Sequence, residues 1–366
     1  MSTTKVLHVI ARINVGGTAR YVSDLVRHIP DSALATGYVQ GNEIEDPVTN
    51  ELPFVRVHHM GRKISPANDI KAWLELRKII RDLKPEIVHT HTFKAGLLGR
   101  LISGNHKRIH TFHGHLFEDQ TFSSFEKFVI THAERSLAKR TDVLISVGER
   151  VGVELRTAGI GKHKKWVSIP PGVTPLPKID KKKARESLGL EPDALLIGWM
   201  ARVTGVKNPY LLVEVAKQMP DAKFVMAGGG DLLEDTKRIA PSNVQILGWT
   251  DASLFWSAVD IALSTSDNEG MPIALIEAQM AGVPVVATDV GSVSEVILNY
   301  STGIIVARDS TNLTEALKLL TSDSSKISEM HSAADKWALS QFSLNSFIQK
   351  HLNLYRSAFP GNLTDI

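Results

Sequence analysis

Short apolar segments alternate with longer amphipathic segments along most of this 366-residue chain. In the first half, apolar runs of strand length lie at 6–11, 54–58, 87–89, 109–112 and 143–147, and helical patterns lie near 19–29, 68–83, 95–103, 122–139 and 149–157. Strands that alternate with helices at this spacing predict a doubly wound parallel sheet. In such a sheet, ligands bind beyond the carboxyl ends of the strands.

A proline-rich connector interrupts this alternation. Four prolines lie between residues 170 and 177, and we place a domain boundary there, after residue 172. The alternation then restarts, with apolar runs at 195–200, 223–227, 244–248, 261–264, 283–287 and 303–306. The pattern predicts two α/β domains, 1–172 and 173–342, and one long helical tail over residues 324–358.

The composition excludes several classes of protein. The chain contains no cysteine, which rules out a disulfide framework, a thiolate zinc site and a cysteine nucleophile. No apolar run approaches the roughly 18 residues that span a bilayer, and no signal peptide is visible, so we expect a cytoplasmic protein. A peripheral position at the inner face of the membrane is compatible with this expectation.

The net charge of +3 conceals an asymmetry between the two halves. Residues 1–175 carry +8 and residues 176–366 carry −5. The positive charges of the first half recur on the predicted helices near 71–84 and 125–140, beside Trp73, Phe125 and Phe128. This pattern suits an anionic membrane surface or an anionic lipid-linked acceptor, and equally a solvated helix face. No nucleic-acid-binding motif accompanies the charge, so we expect no nucleic acid partner.

The segment 264–291 carries the most specific signal. Glu269, Gly270 and Met271 lie where a buried strand passes into a helix, and Pro272 suits the first helical position. The unpaired N–H groups and positive dipole end of a helix N-terminus attract phosphates. This turn is therefore a candidate phosphate site.

A second carboxylate, Glu277, emerges from the otherwise apolar face of the same helix. A buried carboxylate needs a partner, which is either a structural ion pair or a ligand. Two carboxylates near a phosphate cradle match a nucleotide sugar, because a ribose and a hexose both offer hydroxyl donors.

Glu269 and Glu277, with Gly270-Met271-Pro272 between them, resemble the donor-binding motif of glycosyltransferase family 4, whose members are retaining enzymes of the GT-B fold. The resemblance implies that Glu269 contacts the donor hexose and Glu277 the ribose hydroxyls. It also implies that the backbone of residues 270–272 lies against the sugar and the phosphates.

Other segments extend the resemblance over nearly the whole chain. Gly16 and Gly17 match a glycine pair of the first loop, which touches the donor phosphate and the acceptor. Arg202 and Lys207 match the cations that neutralise the departing nucleotide diphosphate, in place of a metal clamp. The family pattern also implies that a C-terminal helix, residues 343–358, packs back on the first domain.

Four histidines follow two neighbouring predicted strands: His89, His91, His113 and His115. From the residues alone, a metal site, a structural cluster and ligand contacts all stay open, although the absence of cysteine and of a nearby carboxylate disfavours a metal. By resemblance, His113 lies beside the reacting sugar, and His91, Lys94 and His115 are candidate acceptor contacts.

Together these observations predict a GT-B glycosyltransferase with two Rossmann-like domains facing a cleft. It would move a hexosyl or N-acetylhexosaminyl group from a nucleotide diphosphate sugar to a glycan or lipid-linked acceptor in bacterial polysaccharide or glycoconjugate synthesis, without a metal or another cofactor. The resemblance further implies retention of configuration and favours a UDP-linked donor. His113, Arg202, Lys207 and Glu269 would be catalytic. A sugar-nucleotide epimerase, a phosphorylase and a non-enzymatic sugar-binding protein are the alternatives.

Overall fold

A computed structural model describes residues 5–41, 43–61, 64–114 and 123–358. These described residues divide into two compact units. The first unit comprises the residues up to Gly172 together with those from Leu344 onward, and the second comprises Val173–Ser343. Within the described residues, no helix combines the length and the low polarity needed to cross a bilayer.

The first unit is built on a parallel sheet that has seven strands in its described part. The strands are β1 (Val6–Ile10), β2 (Ser32–Thr36), β3 (Phe54–Arg56), β4 (Ile87–His91), β5 (Lys107–Phe112), β6 (Val143–Ser146) and β7 (Lys165–Ser168). Their order is β3-β2-β1-β4-β5-β6-β7. The sequence patterns did not predict β2 and β7, because a polar residue stands at each end of both strands and leaves only a very short apolar run between them.

Helices cover both faces of this sheet. They are α1 (Gly17–His28), α2 (Pro66–Leu83), α3 (Thr92–Leu101), α4 (Ser124–Lys139) and α5 (Glu149–Thr157). At the start of α4, the Ser123 side chain accepts from the N–H of Glu126, and the Glu126 carboxylate accepts from the N–H of Ser123, which satisfies two otherwise unpaired donors.

The second unit contains a parallel sheet with six strands among its described residues. They are β8 (Leu196–Met200), β9 (Lys223–Ala227), β10 (Val244–Gly248), β11 (Ile261–Ser264), β12 (Val285–Thr288) and β13 (Gly303–Val306). The order β10-β9-β8-β11-β12-β13 repeats the arrangement of the first sheet. Both sheets are therefore doubly wound, as predicted.

The helices of the second unit fill the two faces of its sheet. They are α6 (Lys181–Leu188), α7 (Pro209–Gln218), α8 (Leu233–Ile239), α9 (Ala252–Ala258), α10 (Ile273–Met280), α11 (Val293–Val296), α12 (Ser310–Thr321) and α13 (Ser324–Gln341). Pro209 occupies the first position of α7, as its fixed φ favours. Pro272, expected at the same position of α10, lies one residue earlier, as the N-cap.

The helical tail is not continuous, which corrects the sequence interpretation. It forms α13 and a separate helix, α14 (Leu344–Ala358), with Phe342 and Ser343 between them. The carbonyl of Phe342 accepts a hydrogen bond from the N–H of Val173 at 2.7 Å, and Ser343 forms a β-bridge with Val173. These contacts to Val173 take the carbonyl of Phe342 and the backbone of Ser343 out of the helical hydrogen-bond pattern, so α13 ends before these residues. The helix α14 belongs to the first unit.

Candidate functional site

An ion pair between Lys207 and Glu269 lies at the carboxyl edge of the second sheet. Lys207 ends a short 3₁₀ turn after β8, and Glu269 follows β11, so 62 positions of chain separate them. The Nζ atom of Lys207 donates to Oε1 of Glu269, and the hydroxyl of Ser266 donates to the same oxygen at 2.7 Å. The Glu269 side chain is 9% exposed and that of Lys207 20%. The structure therefore brings these two predicted donor residues together.

Hydrogen bonds tie together the two loops that carry this pair. The hydroxyl of Thr265 lies 3.0 Å from the carbonyl oxygen of Lys207 and 2.9 Å from that of Asn208. The side-chain amide of Asn208 donates to Asp267 at 3.0 Å, and the N–H of Asp267 donates to the carbonyl of Val206 at 2.8 Å. Because backbone groups take part, the position of Lys207 relative to Glu269 does not depend on the ion pair alone.

The loop after β12 supports the Glu269 turn from behind. Gly291 has φ +49, and a Cβ atom added there would lie 1.7 Å from the carbonyl oxygen of Glu269. The N–H of the next residue, Ser292, donates to the carbonyl of Gly270 at 3.0 Å. The requirement for glycine at residue 291 is tertiary, since it arises from contact with a segment some twenty residues earlier.

Arg202 lies on the same edge, and its loop runs against the triple glycine 228–230. A Cβ atom at Gly228 would lie 1.9 Å from the carbonyl oxygen of Ala201, and one at Gly230 would lie 2.3 Å from that of Val203. The N–H of Val203 donates to the carbonyl of Gly229 at 3.0 Å. The glycines thus permit a close approach of two backbones, which holds the partly buried Arg202 on this rim.

Glu277 is 8% exposed on α10, a helix whose other buried side chains are mostly apolar. Burial of a carboxylate among such neighbours costs free energy unless polar contacts compensate.

In the first unit, Gly16 is the N-cap of α1 and provides no side-chain cap. A Cβ atom at Gly16 would meet nothing within 4 Å, so open space lies in front of this loop.

The predicted histidines of the first unit form part of a larger buried cluster. His8 on β1 lies opposite His89 on β4, and His91 lies two residues further along the same face. Nδ1 of His8 is 3.2 Å from Nε2 of His91, and Nδ1 of His91 is 3.2 Å from Nε2 of His113. We call His8, His91 and His113 the histidine chain.

Residues of α1 and α14 complete the cluster. The ring of Tyr21 packs edge-on against His113, with 4.7 Å between ring centroids, and its hydroxyl lies 3.1 Å from Nε2 of His351. His89 bonds through both ring nitrogens, to the hydroxyls of Tyr355 and Thr111, at 2.7 Å each. The sequence interpretation missed His8 and His351. His8 interrupts the first apolar run, which was the one available signal.

Burial favours the neutral form of the imidazoles in this cluster. Burial, followed by the proximity of His351, lowers the pKa of both His8 and His113 to about 3. Burial also lowers the pKa of His351 to about 4, and it lowers the pKa of His91 well below its usual value. The lone pairs and N–H groups of these rings are therefore available for hydrogen bonds at neutral pH.

His91 and Lys94 do not lie at the surface. His91 is fully buried, and its two nitrogens face His8 and His113, so in this conformation neither nitrogen is available to an acceptor. Lys94 is 6% exposed and forms an ion pair with Asp69. His115, the third predicted acceptor contact, lies outside the described residues.

His8, His89 and His91 could hold a metal ion, since one nitrogen from each lies within 4.8 Å of the others. Neutral imidazoles are good ligands for zinc and related ions. Against this use, both nitrogens of His89 already form hydrogen bonds, to Tyr355 and Thr111. The expectation that no metal is required stays a prediction.

The fold and these sites define a class, the GT-B glycosyltransferases. The model of the family described as "Glycosyltransferase Family 4" matches residues 15–175. The model of the family described as "Glycosyl transferases group 1" matches residues 180–337. The chain therefore belongs to the family 4 type of glycosyltransferase.

Comparisons with individual proteins agree. The chain is 27% identical over 347 residues to a UDP-Gal:alpha-D-GlcNAc-diphosphoundecaprenol alpha-1,3-galactosyltransferase of Escherichia coli, covering 88% of this chain and 89% of the relative. A sucrose-phosphate synthase from Thermosynechococcus elongatus superposes with a TM-score of 0.85 at 19% identity, over 97% of this chain and 99% of that one. Anabaena HepE, in complex with UDP and glucose, gives 0.82 at 16%, over 97% and 100%. The two structures show the shared fold.

Proposed function

We propose that this protein transfers a hexosyl or N-acetylhexosaminyl group from a UDP-sugar to a lipid-linked or glycan acceptor in bacterial polysaccharide synthesis, with retention of configuration. The observation that carries the proposal is the Lys207–Glu269 pair on two loops that are tied together at the sheet edge. The names of the E. coli relative and of the Anabaena structure support a UDP-linked donor.

Charge stabilisation is the core of the proposed mechanism. As the glycosidic bond to the diphosphate breaks, positive charge grows on the sugar and negative charge grows on the departing phosphate. Arg202 and Lys207 would stabilise that phosphate, acting as fixed charges that need no reorganisation. Glu269 would position the sugar, Glu277 would bind the ribose hydroxyls, and the backbone at residues 270–272 would lie against the phosphates.

The proposal includes retention, which rests on the family resemblance, and metal independence. The departing phosphate would accept the proton of the acceptor hydroxyl on the same face of the sugar, so Glu269 would not attack the anomeric carbon. Arg202 and Lys207 would take the place of a divalent cation. Transfer should therefore persist in EDTA, and loss of activity that Mg²⁺ or Mn²⁺ restores would contradict this part.

A surface of the first unit supports a lipid-linked acceptor. Helix α3 packs against both α2 and α4. These three helices expose large apolar side chains, namely Ile70, Leu74, Leu101, Phe125, Phe128 and Val129.

An apolar groove of about 400 Å³ between α2 and α3 is lined by Trp73, Leu97 and Leu98, among others. Exposed cations, including Lys71, Lys78 and Lys139, lie on the same helices. Apolar and basic groups together suit an anionic membrane surface.

The decisive experiment measures transfer directly. The protein is incubated with UDP-glucose, UDP-galactose, UDP-N-acetylglucosamine or GDP-mannose, and thermal stabilisation selects the donor. The selected donor is then offered with a synthetic GlcNAc-diphosphate carrying a short polyprenyl chain, and the anomeric configuration of the product is read by NMR. Steady donor consumption without an acceptor product would favour an epimerase or a phosphorylase. Binding of free sugar without nucleotide would favour a sugar-binding protein.

A further inference from the structure

The histidine chain ends at His113, which the family resemblance places beside the reacting sugar, and its inner members, His8 and His91, have no access to solvent. His8 and His91 are fully buried, whereas His113 is partly exposed in the loop after β5. The two nitrogen-to-nitrogen distances of 3.2 Å are those of hydrogen bonds. Inner rings can therefore act on His113 through its Nε2 atom.

A neutral imidazole has one N–H and one bare nitrogen, so only two proton arrangements satisfy both links of the chain. In the first, Nδ1–H of His8 donates to His91, and Nδ1–H of His91 donates to Nε2 of His113. In the second, both bonds run the other way. Each arrangement fixes all three tautomers at once.

The inner end of the chain decides between the two arrangements. Nε2 of His8 is buried and has no hydrogen-bond partner among the described residues. In the first arrangement this atom is a bare acceptor, and in the second it is an N–H donor. Among backbone groups in proteins, a buried N–H without an acceptor is rarer than a buried carbonyl oxygen without a donor. We apply the same preference to the ring nitrogen of His8. The first arrangement is therefore favoured.

We infer that His8 and His91 are positioning residues that hold His113 as a neutral ring with its proton on Nδ1. The consequence rests on the proposed function, with His113 beside the transferred sugar as the family resemblance implies: the ring would present Nδ1–H, a donor, to an oxygen of that sugar. The edge-on packing of Tyr21 against His113 restrains the ring orientation at the same place. Because the pKa of each ring is low, protonation does not disrupt the two hydrogen bonds of the histidine chain at neutral pH.

The first test needs no substrate, so it is independent of the proposed function. Full-length protein labelled with ¹⁵N-histidine is examined at pH 7.5 by two-bond ¹⁵N–¹H correlation, which distinguishes Nδ1–H from Nε2–H rings. We expect His8, His91 and His113 all to be Nδ1–H tautomers. An Nε2–H tautomer at His113 overturns the inference, and so does a stoichiometric metal ion bound by these rings.

Variants at His91 test the positioning role. In His91→Leu, the Nε2 atom of His113 loses its donor, so we expect loss of the single Nδ1–H tautomer, a roughly tenfold lower kcat and a KM within about twofold of the parent protein. In His91→Asn, the amide nitrogen can occupy the place of Nδ1, so we expect the tautomer to persist and kcat to stay within about threefold.

His110→Leu is the matched control. His110 is as buried as His91, but it lies on the other face of the sheet, where its Nδ1 contacts Thr90. We expect this variant to leave the tautomer of His113 unchanged. If His110→Leu and His91→Leu lower kcat equally, or if His91→Asn does not retain the tautomer, the effect is one of core packing and the inference fails.

Discussion

The second sheet repeats the strand order of the first up to β6, but the side chains at the two carboxyl edges differ in charge and burial. The edge of the first sheet carries the histidine chain, which is neutral and largely buried. The edge of the second carries the Lys207–Glu269 pair and Arg202, which are charged and partly exposed. A repeated topology therefore fixes where a site can form and leaves its chemistry to the loop residues.

The difference also has a functional meaning under the proposed mechanism. A diphosphate needs fixed positive charge, which is inexpensive where side chains reach solvent and costly in a core. A sugar needs hydrogen-bond donors and acceptors in fixed directions, which neutral imidazoles provide without a charge to bury. The predictions below test this division, from the largest expected effect to the smallest.

Removing a cation from the charged edge should have the largest effect. We expect Lys207→Ala to lower turnover by on the order of 10² to 10³, because the departing diphosphate loses a fixed charge. Steady-state kinetics with the selected donor measures the effect, and circular dichroism checks that the fold persists. Lys237→Ala, at an exposed lysine paired with Glu234, is the control and should be near normal. Near-normal turnover of Lys207→Ala would remove this residue from the site.

Loss of the second carboxylate should be comparably severe, by a different route. We expect Glu277→Ala to lower turnover by on the order of 10² to 10³ while the fold is kept, because the nucleotide loses the acceptor for its ribose hydroxyls. A 2′-deoxyribose analogue of the donor sharpens the test. If Glu277 binds the ribose, the variant should discriminate less between the two donors than the parent protein does. Equal discrimination would assign Glu277 a structural role.

Gly291→Ala tests the support of the Glu269 turn. The added Cβ would collide with the carbonyl of Glu269, so the turn must shift, and we expect activity to fall about tenfold with a stability loss of about 1–3 kcal/mol. Gly189→Ala is a matched control, because Gly189 has φ +62 but open space around its Cβ position. Kinetics and urea unfolding of both variants separate backbone strain, which they share, from the collision. If Gly291→Ala and Gly189→Ala are equally active, the contact of the added Cβ with the Glu269 carbonyl does not affect the site.

The buried histidines at the carboxyl edge of the first sheet should make the free energy of unfolding depend on pH. Rings such as His8, His113 and His351 have a lower pKa in the folded than in the unfolded chain, so the unfolded state binds more protons below about pH 6.5. Their contribution is complete above pH 6.5 and is lost as the pH falls toward about 3 to 4. For each such ring, the free energy of unfolding should drop by about 1.4 kcal/mol per pH unit in this window.

Urea unfolding at pH 7.5, 6.0 and 5.0 measures this slope. His163→Gln, which changes an exposed histidine, should leave it unaltered. A stability that is constant from pH 7.5 to 5.0 would show that these rings are hydrated rather than desolvated.

Local pattern predicted much of the fold because strand and helix periodicity is visible within a few residues. The apolar runs located β1, β8, β11 and β12. The pattern failed where tertiary contacts override it. The strand β2 is fully buried although it begins with Ser32 and ends with Thr36. The break between α13 and α14 exists because residues 342–343 pair with Val173.

For the candidate site, the sequence by itself determined the chemical groups: two carboxylates, two cations, glycine loops and several histidines, in the spacing of a known family. Only the tertiary structure decided which of them meet. Lys207 reaches Glu269 because strands β8 and β11 are neighbours in the sheet, and His8 reaches His91 because β1 pairs with β4. Strand order and register relate residues that are distant along the chain, and no local periodicity encodes that relation.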